Sequence, residues 1–158
     1  MLAVEFYNVV LALHILGVVF AFGIVLAYPV IVPWVRRAQP SAMPVVHLLQ
    51  ARISRTVIGP GMVLILAAGI YLASDADVWS ESWVSIPLVI LIVVGGLGGA
   101  VLTPLEKRLA ALAERDVASG GELSAEYDAQ LARWSTFAYT CAALVIVAIV
   151  FMTTKPGS

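Results

Sequence analysis

From Phe6 to Val35 the chain runs without one Asp, Glu, Lys or Arg, and its one readily ionisable side chain is His14. At about 1.5 Å of rise per helical residue, this run is longer than the ~20 residues that the hydrocarbon core of a bilayer requires. A water-soluble core has no need of a helix so long and so apolar. The stretch therefore predicts a transmembrane helix, and the rest of the chain has to be compatible with one.

It is. Further apolar spans run over about 57–73, 84–103 and 135–153, and 61% of the residues are hydrophobic against 12% charged. Continuous apolar runs exclude a β-barrel, whose strands alternate lipid-facing and lumen-facing residues. A helix satisfies its own backbone hydrogen bonds in lipid, so each run reads as one crossing. The expectation is an all-α, polytopic membrane protein, a single domain over 1–158 built as a four-transmembrane-helix bundle. Glu5 is the only charge before the first run, so a basic n-region is lacking and that run is expected to be retained rather than cleaved as a signal.

Orientation follows from the basic residues. Arg36, Arg37, Arg52 and Arg55 lie between the first two spans, and Lys107, Arg108, Arg115 and Arg133 between the last two. The remaining connection carries Asp75, Asp77 and Glu81 and no base. The positive-inside rule then places both termini outside and both long connections in the cytoplasm. Trp79, Trp83 and Tyr71 fall at the outer interface and Trp34 and Trp134 at the inner one, as an aromatic belt predicts. The arginines, Arg36, Arg37, Arg52, Arg55 and Arg133, read as topology determinants able to meet lipid headgroups. The other loop charges read as a solvated face.

Within the connections, Leu105, Leu109 and Leu112 recur at helical spacing, predicting a helix over about 104–117 that Ser119-Gly120-Gly121 stops. Ser124 is placed to N-cap the next helix, with Glu126 and Asp128 in its first turn. The stretch from Gln39 to Pro44 predicts a turn. Pro29, Pro33, Pro60 and Pro87 predict kinks whose freed carbonyls neighbours re-satisfy. The inner ends of spans one and three, and the approaches to spans two and four, share short Pro/Arg and Ala-Arg patterns that a duplicated hairpin would leave.

Two features carry functional expectations. His14 lies near the membrane midplane, where an ionisable group is a candidate functional residue. Gly17 and Ala21 keep its helix face shallow, suiting either a closely packed helix or a flat ligand. The simpler reading makes His14 a neutral imidazole bonded to a polar group such as Tyr139 or Thr140; the functional one makes it a cofactor ligand. His47, in the connection, is not at matching depth for a bis-histidine haem. Single-histidine haem ligation stays open, as does a copper site with Met62 or Cys141. The second feature is Gly95-Gly96-Leu97-Gly98-Gly99-Ala100. Gly95 with Gly99 and Gly96 with Ala100 give the small-xxx-small spacing of helix packing, within the bundle or between subunits of a homo-oligomer or larger membrane complex. It is not a dinucleotide loop, since no strand precedes it. The lone cysteine, Cys141, excludes an internal disulfide. No nucleophile–base set, HExxH or phosphate loop is present, and nothing points to a nucleic-acid partner.

Leu13-His14-Ile15-Leu16-Gly17, Gly59-Pro60 with Ala68-Gly69, and the ending Phe151-Met152-Thr153-Thr154-Lys155-Pro156 resemble a bacterial family of predicted four-helix integral membrane proteins whose function is not assigned. More distantly, the first helix resembles those of CopD-type copper-resistance proteins and of HemJ-type membrane protoporphyrinogen oxidases. In the latter group an early first-helix histidine is linked to haem, and His14 is the matching position. The chain departs from the oxidase pattern in its second helix and in having no lysine inside a span. The expectation is a multi-pass protein of the bacterial plasma (inner) membrane, a non-enzymatic accessory or ligand-binding component. The alternative is a haem- or metal-binding redox protein that uses His14 as an axial ligand.

Overall fold

The structure, a computed structural model, describes residues 2–120 and 122–157, with side chains described from Glu5 onward. Among the described residues six α-helices follow one another: α1 (Leu2–Ala38), α2 (Met43–Ile53), α3 (Gly59–Asp75), α4 (Ser82–Leu97), α5 (Thr103–Ala118) and α6 (Ala125–Thr154). Four helical stretches, Glu5–Ala38, Pro40–Asp75, Ser82–Ala118 and Ala125–Thr154, are long and apolar enough to cross a membrane. At ~1.5 Å per residue, the 37 residues of α1 reach well beyond a hydrocarbon core of about 30 Å.

Two of the crossings are continuous with what the sequence presents as loops. Between α2 and α3, Ser54–Ile58 form one wide turn closed by the Gly59 N–H on the Ser54 carbonyl. Between α4 and α5, Gly98–Leu102 form another, closed by the Thr103 N–H on the Gly98 carbonyl. Each wide turn ends one residue short of a proline, with Gly59 before Pro60 and Thr103 before Pro104. Proline cannot donate to the carbonyl four residues back and its ring crowds that group. A turn with one extra residue lets the helix pass this point without breaking, so the prolines re-register the helices rather than end them. Pro33 acts differently. Its missing N–H leaves the Pro29 carbonyl without its intrahelical donor, and the Tyr139 hydroxyl of α6 donates to that carbonyl at 3.1 Å.

The bundle pairs α1 with α3 and α4 with α6 in the membrane, while α2 packs on α5 beyond it. Phe6 stacks edge-on against Tyr71, and the Ser82 hydroxyl donates to the Pro156 carbonyl, so both ends of the chain share the acidic end with the α3–α4 turn. The α1/α3 contact is close because glycines alternate across it. A Cβ on Gly17 would lie 3.0 Å from Ile65, and one on Gly61 3.0 Å from Ala21. In lipid, where burial of apolar surface gives little drive, such approach supplies the dispersion attraction.

Two cores result. The membrane core gathers Ala21, Phe22, Ile65, Ile90, Val94, Cys141 and Val145. The second lies toward the basic end and includes Met43, Leu105, Leu109, Leu112, Tyr127, Leu131 and Trp134. Three of these are the leucines whose spacing predicted α5. Where that core borders water, the ordinary hydrophobic effect stabilises it. Its helix ends are as the residues suggest: α5 stops at Ala118, Gly120 takes a φ of +71° that suits glycine, and Ser124 Oγ accepts the Tyr127 N–H. Gly121 lies outside the described residues.

Most charges at the basic end are exposed, as a solvated face expects, and several of them pair. Arg36 grips Asp128 through both carboxylate oxygens at 2.7 and 2.8 Å, and Arg115 bridges Asp116 and Glu126. Asp116 also accepts the Ser124 N–H at 2.8 Å, tying the end of α5 to the start of α6. Trp134 departs from the aromatic belt: it is 1% exposed in the second core, whereas Trp34 is 68% exposed. The belt rule reads position along the helix axis, and the helix face decides which of two tryptophans at one depth meets lipid.

Candidate functional site

His14 sits on the face of α1 that meets α3. Its Nδ1–H donates to the Ile65 carbonyl at 3.1 Å, so the partner is backbone on the second span, not Tyr139 or Thr140 on the fourth. Gly69 makes this bond reachable. The imidazole Cε1 lies 3.3 Å from where a Gly69 Cβ would stand, and any larger residue there would push the ring away from the carbonyl one turn back. A carbonyl only accepts, so the proton is fixed on Nδ1. In the neutral ring the lone pair is then on Nε2. Among the described residues, Nε2 meets no donor.

The side chain lines a cavity of about 250 Å³ between the α1/α3 and α4/α6 pairs, in the half of the membrane nearer the acidic end. Phe22, Ile65, Pro87, Val145 and Met152 are among the residues around it, and its walls are almost wholly apolar. Ile15 and Val19 belong both to the wall and to the outer surface of the bundle, so an occupant can extend toward lipid. An apolar cleft with one oriented polar atom is the general form of a small-molecule site. The other proposed metal donors are elsewhere: Met62 lies against Gly95, and Cys141 is buried beside a second cavity. Among the described residues, no three of His, Cys, Asp and Glu converge.

The family described as predicted integral membrane protein (DUF2269) matches residues 8–156. The chain belongs to that family. No curated protein and no solved structure matches it. Family membership covers every element of the bundle, including both cavities, and agrees with the four crossings.

The glycine run of α4 divides. Gly95 packs inside the chain, where a Cβ would lie 3.0 Å from Met62 Cε. A Cβ on Gly96 or Gly99 would meet nothing within 4 Å, and Gly96, Gly99 and Ala100 are exposed. Of the arginines, Arg36 is held by Asp128, while Arg37, Arg52, Arg55 and Arg133 are exposed at the basic end.

Sequence reasoning did not foresee the burial of His47 and Glu106. His47, 0% exposed, donates from Nδ1 to Gln50 Oε1 at 2.7 Å and accepts the Tyr127 hydroxyl at Nε2 at 2.8 Å. Burial lowers its pKa to about 4, against the smaller opposing effect of the Gln50 bond. Glu106 is 3% exposed, and burial raises its carboxyl to about 7, opposed by hydrogen bonds from Trp134 and Ser54. The span-flanking charges are therefore not all solvated. The signal was present, since Glu106 shares a helix face with Leu109, Ala110 and Ala113, all buried.

Proposed function

We propose that this chain is a ligand-binding integral protein of the bacterial plasma membrane, with both termini outside and the basic end in the cytoplasm, and that it holds an apolar ligand in the cleft beside His14. The observation that supports this is the fixed Nδ1 proton, which leaves Nε2 as the lone-pair atom at an apolar cavity. A histidine whose Nδ1–H is bound to a backbone carbonyl is also the arrangement that orients an axial ligand and strengthens its donation. If the ligand is haem, His14 would hold it through Nε2, with Phe22, Ile65 and Pro87 beside it and part of the group extending past Ile15 and Val19 toward lipid, and it would supply redox chemistry. The exposed Arg37, Arg52, Arg55 and Arg133 suit anionic headgroups at the cytoplasmic face.

The test is an absorption spectrum of the purified protein, as isolated and after addition of haemin. A Soret band that His14→Ala abolishes is expected. A colourless protein that takes up no haemin would leave the accessory role without this cofactor.

A second surface supports association. Gly96, Gly99 and Ala100 face outward with nothing against them, which suits close contact with a second copy. Gly96→Leu is expected to shift the protein to a smaller species in detergent by light scattering while the helix content is unchanged. An unchanged mass would remove this face from the assembly.

A further inference from the structure

The second cavity, about 190 Å³, lies below the first near the basic end and contains a carboxylate that the fold leaves underused. Glu106 lines it and forms an ion pair with no Lys, Arg or His among the described residues. Its two hydrogen bonds are long: Ser54 Oγ donates to Oε2 at 3.5 Å and Trp134 Nε1–H to Oε1 at 3.4 Å, against the usual 2.7–3.2 Å. A buried carboxylate is costly unless it is paired and bonded. A second polar group in the same wall is also unsatisfied. The Tyr28 side chain, 9% exposed, lines the cavity, and its hydroxyl has no partner.

Backbone irregularity converges on this place as well. Residues of both wide turns, Ser54 and Ile58 from one and Gly98, Gly99 and Leu102 from the other, form part of the wall. Such turns inside helices occur often at functional sites. Gly98 leaves the space open, since a Cβ there would touch nothing within 4 Å. The remaining wall is apolar and aromatic, with Phe22, Tyr28 and Trp134 contributing rings.

We propose that this cavity binds a small organic cation, a protonated amine on an apolar body, with the Glu106 carboxylate as its counter-ion and the Tyr28 hydroxyl as a hydrogen-bond partner. A single water has a share of only about 30 Å³, so the space is larger than solvation of the two groups requires. A bare metal ion would need more oxygen ligands than one carboxylate and a few hydroxyls provide. One anion, aromatic faces and apolar walls are together the requirements of an ammonium group carrying hydrocarbon. The site shares the wall residue Phe22 with the His14 cleft, but its polar groups, Glu106 and Tyr28, do not line that cleft.

The test is titration of the full-length protein in nanodiscs with a panel of alkyl- and arylalkylammonium ions, 2-phenylethylammonium first, followed by tryptophan fluorescence and thermal midpoint. The neutral isostere 2-phenylethanol and sodium chloride are the controls. Saturable binding by an amine is expected, weakened about 10-fold or more by Glu106→Gln, equivalent to ~1.4 kcal/mol. Tyr28→Phe, which removes only the hydroxyl, is expected to weaken it several-fold and carries the test if the Gln variant does not fold. Equal affinity in the folded variants, equal binding of 2-phenylethanol, saturation by sodium, or no saturable response across the panel would each overturn the proposal.

Discussion

Trp134→Ala is expected to lower the unfolding free energy by about 3–5 kcal/mol, the range for removing a large aromatic side chain from a packed core. Trp134 is 1% exposed and belongs to the core at the basic end with Leu105, Leu131 and Tyr127. Its removal leaves a void in a core built from α1, α2, α5 and α6 and withdraws one of the two hydrogen bonds to the buried Glu106. Trp34 is the matched control. It lies at the basic end of α1, 68% exposed, and Trp34→Ala is expected to change stability in detergent by no more than ~0.5 kcal/mol. Denaturant unfolding of both variants, followed by circular dichroism in one detergent, makes the comparison. Equal losses would return both tryptophans to the interfacial belt and remove Trp134 from the core.

That contrast shows where the sequence was legible. The four crossings are visible because lipid imposes a length and a composition on any helix that spans it, and the chain obeys both. The ends of α5 and α6 are visible because caps are local: Ser124 and Gly120 act within a few residues of themselves. The continuity of α2 with α3 and of α4 with α5 is not. Pro60 reads as a kink and Pro104 as the start of a separate helix, and only the backbone reveals that one wide turn before each proline carries the helix through.

The candidate sites divide in the same way. His14 stands out as a lone imidazole in an apolar run, but its partner is a backbone carbonyl, which has no residue signature. Gly69 is the one trace of that bond in the sequence, and it looks like any small residue in a span. Glu106 is hidden by its neighbours Lys107 and Arg108, which make it look like one charge in a solvated group. Its burial depends on α6 bringing Trp134 across from 28 positions away in the chain. The same holds for His47, which is a loop residue until Tyr127, 80 positions on, closes over it.

His47 and Glu106 together give the second large effect, a pH response that one substitution unmasks. The His47 pKa in the folded state is about 4, below its unfolded value of 6.5, so its contribution is fully present above 6.5 and is lost as pH falls toward 4. The Glu106 pKa is about 7, above its unfolded 4.5, so folding costs more as pH rises from 4.5 to 7 and that cost is relieved on acidification. With ~1.4 kcal/mol per pKa unit, each group changes stability by about 2–3 kcal/mol between pH 7 and 4.5, in opposite directions. In the native chain these two contributions nearly cancel. Glu106→Gln removes the compensating acid and keeps the side chain's shape, so the variant is expected to lose about 2–3 kcal/mol on going from pH 7 to 4.5, while the native protein changes little by this pair. Thermal midpoints of both proteins in the same detergent across that range measure it. Parallel pH profiles would mean that the two groups do not titrate as buried partners of opposite sign, and the burial of one of them would have to be rejected.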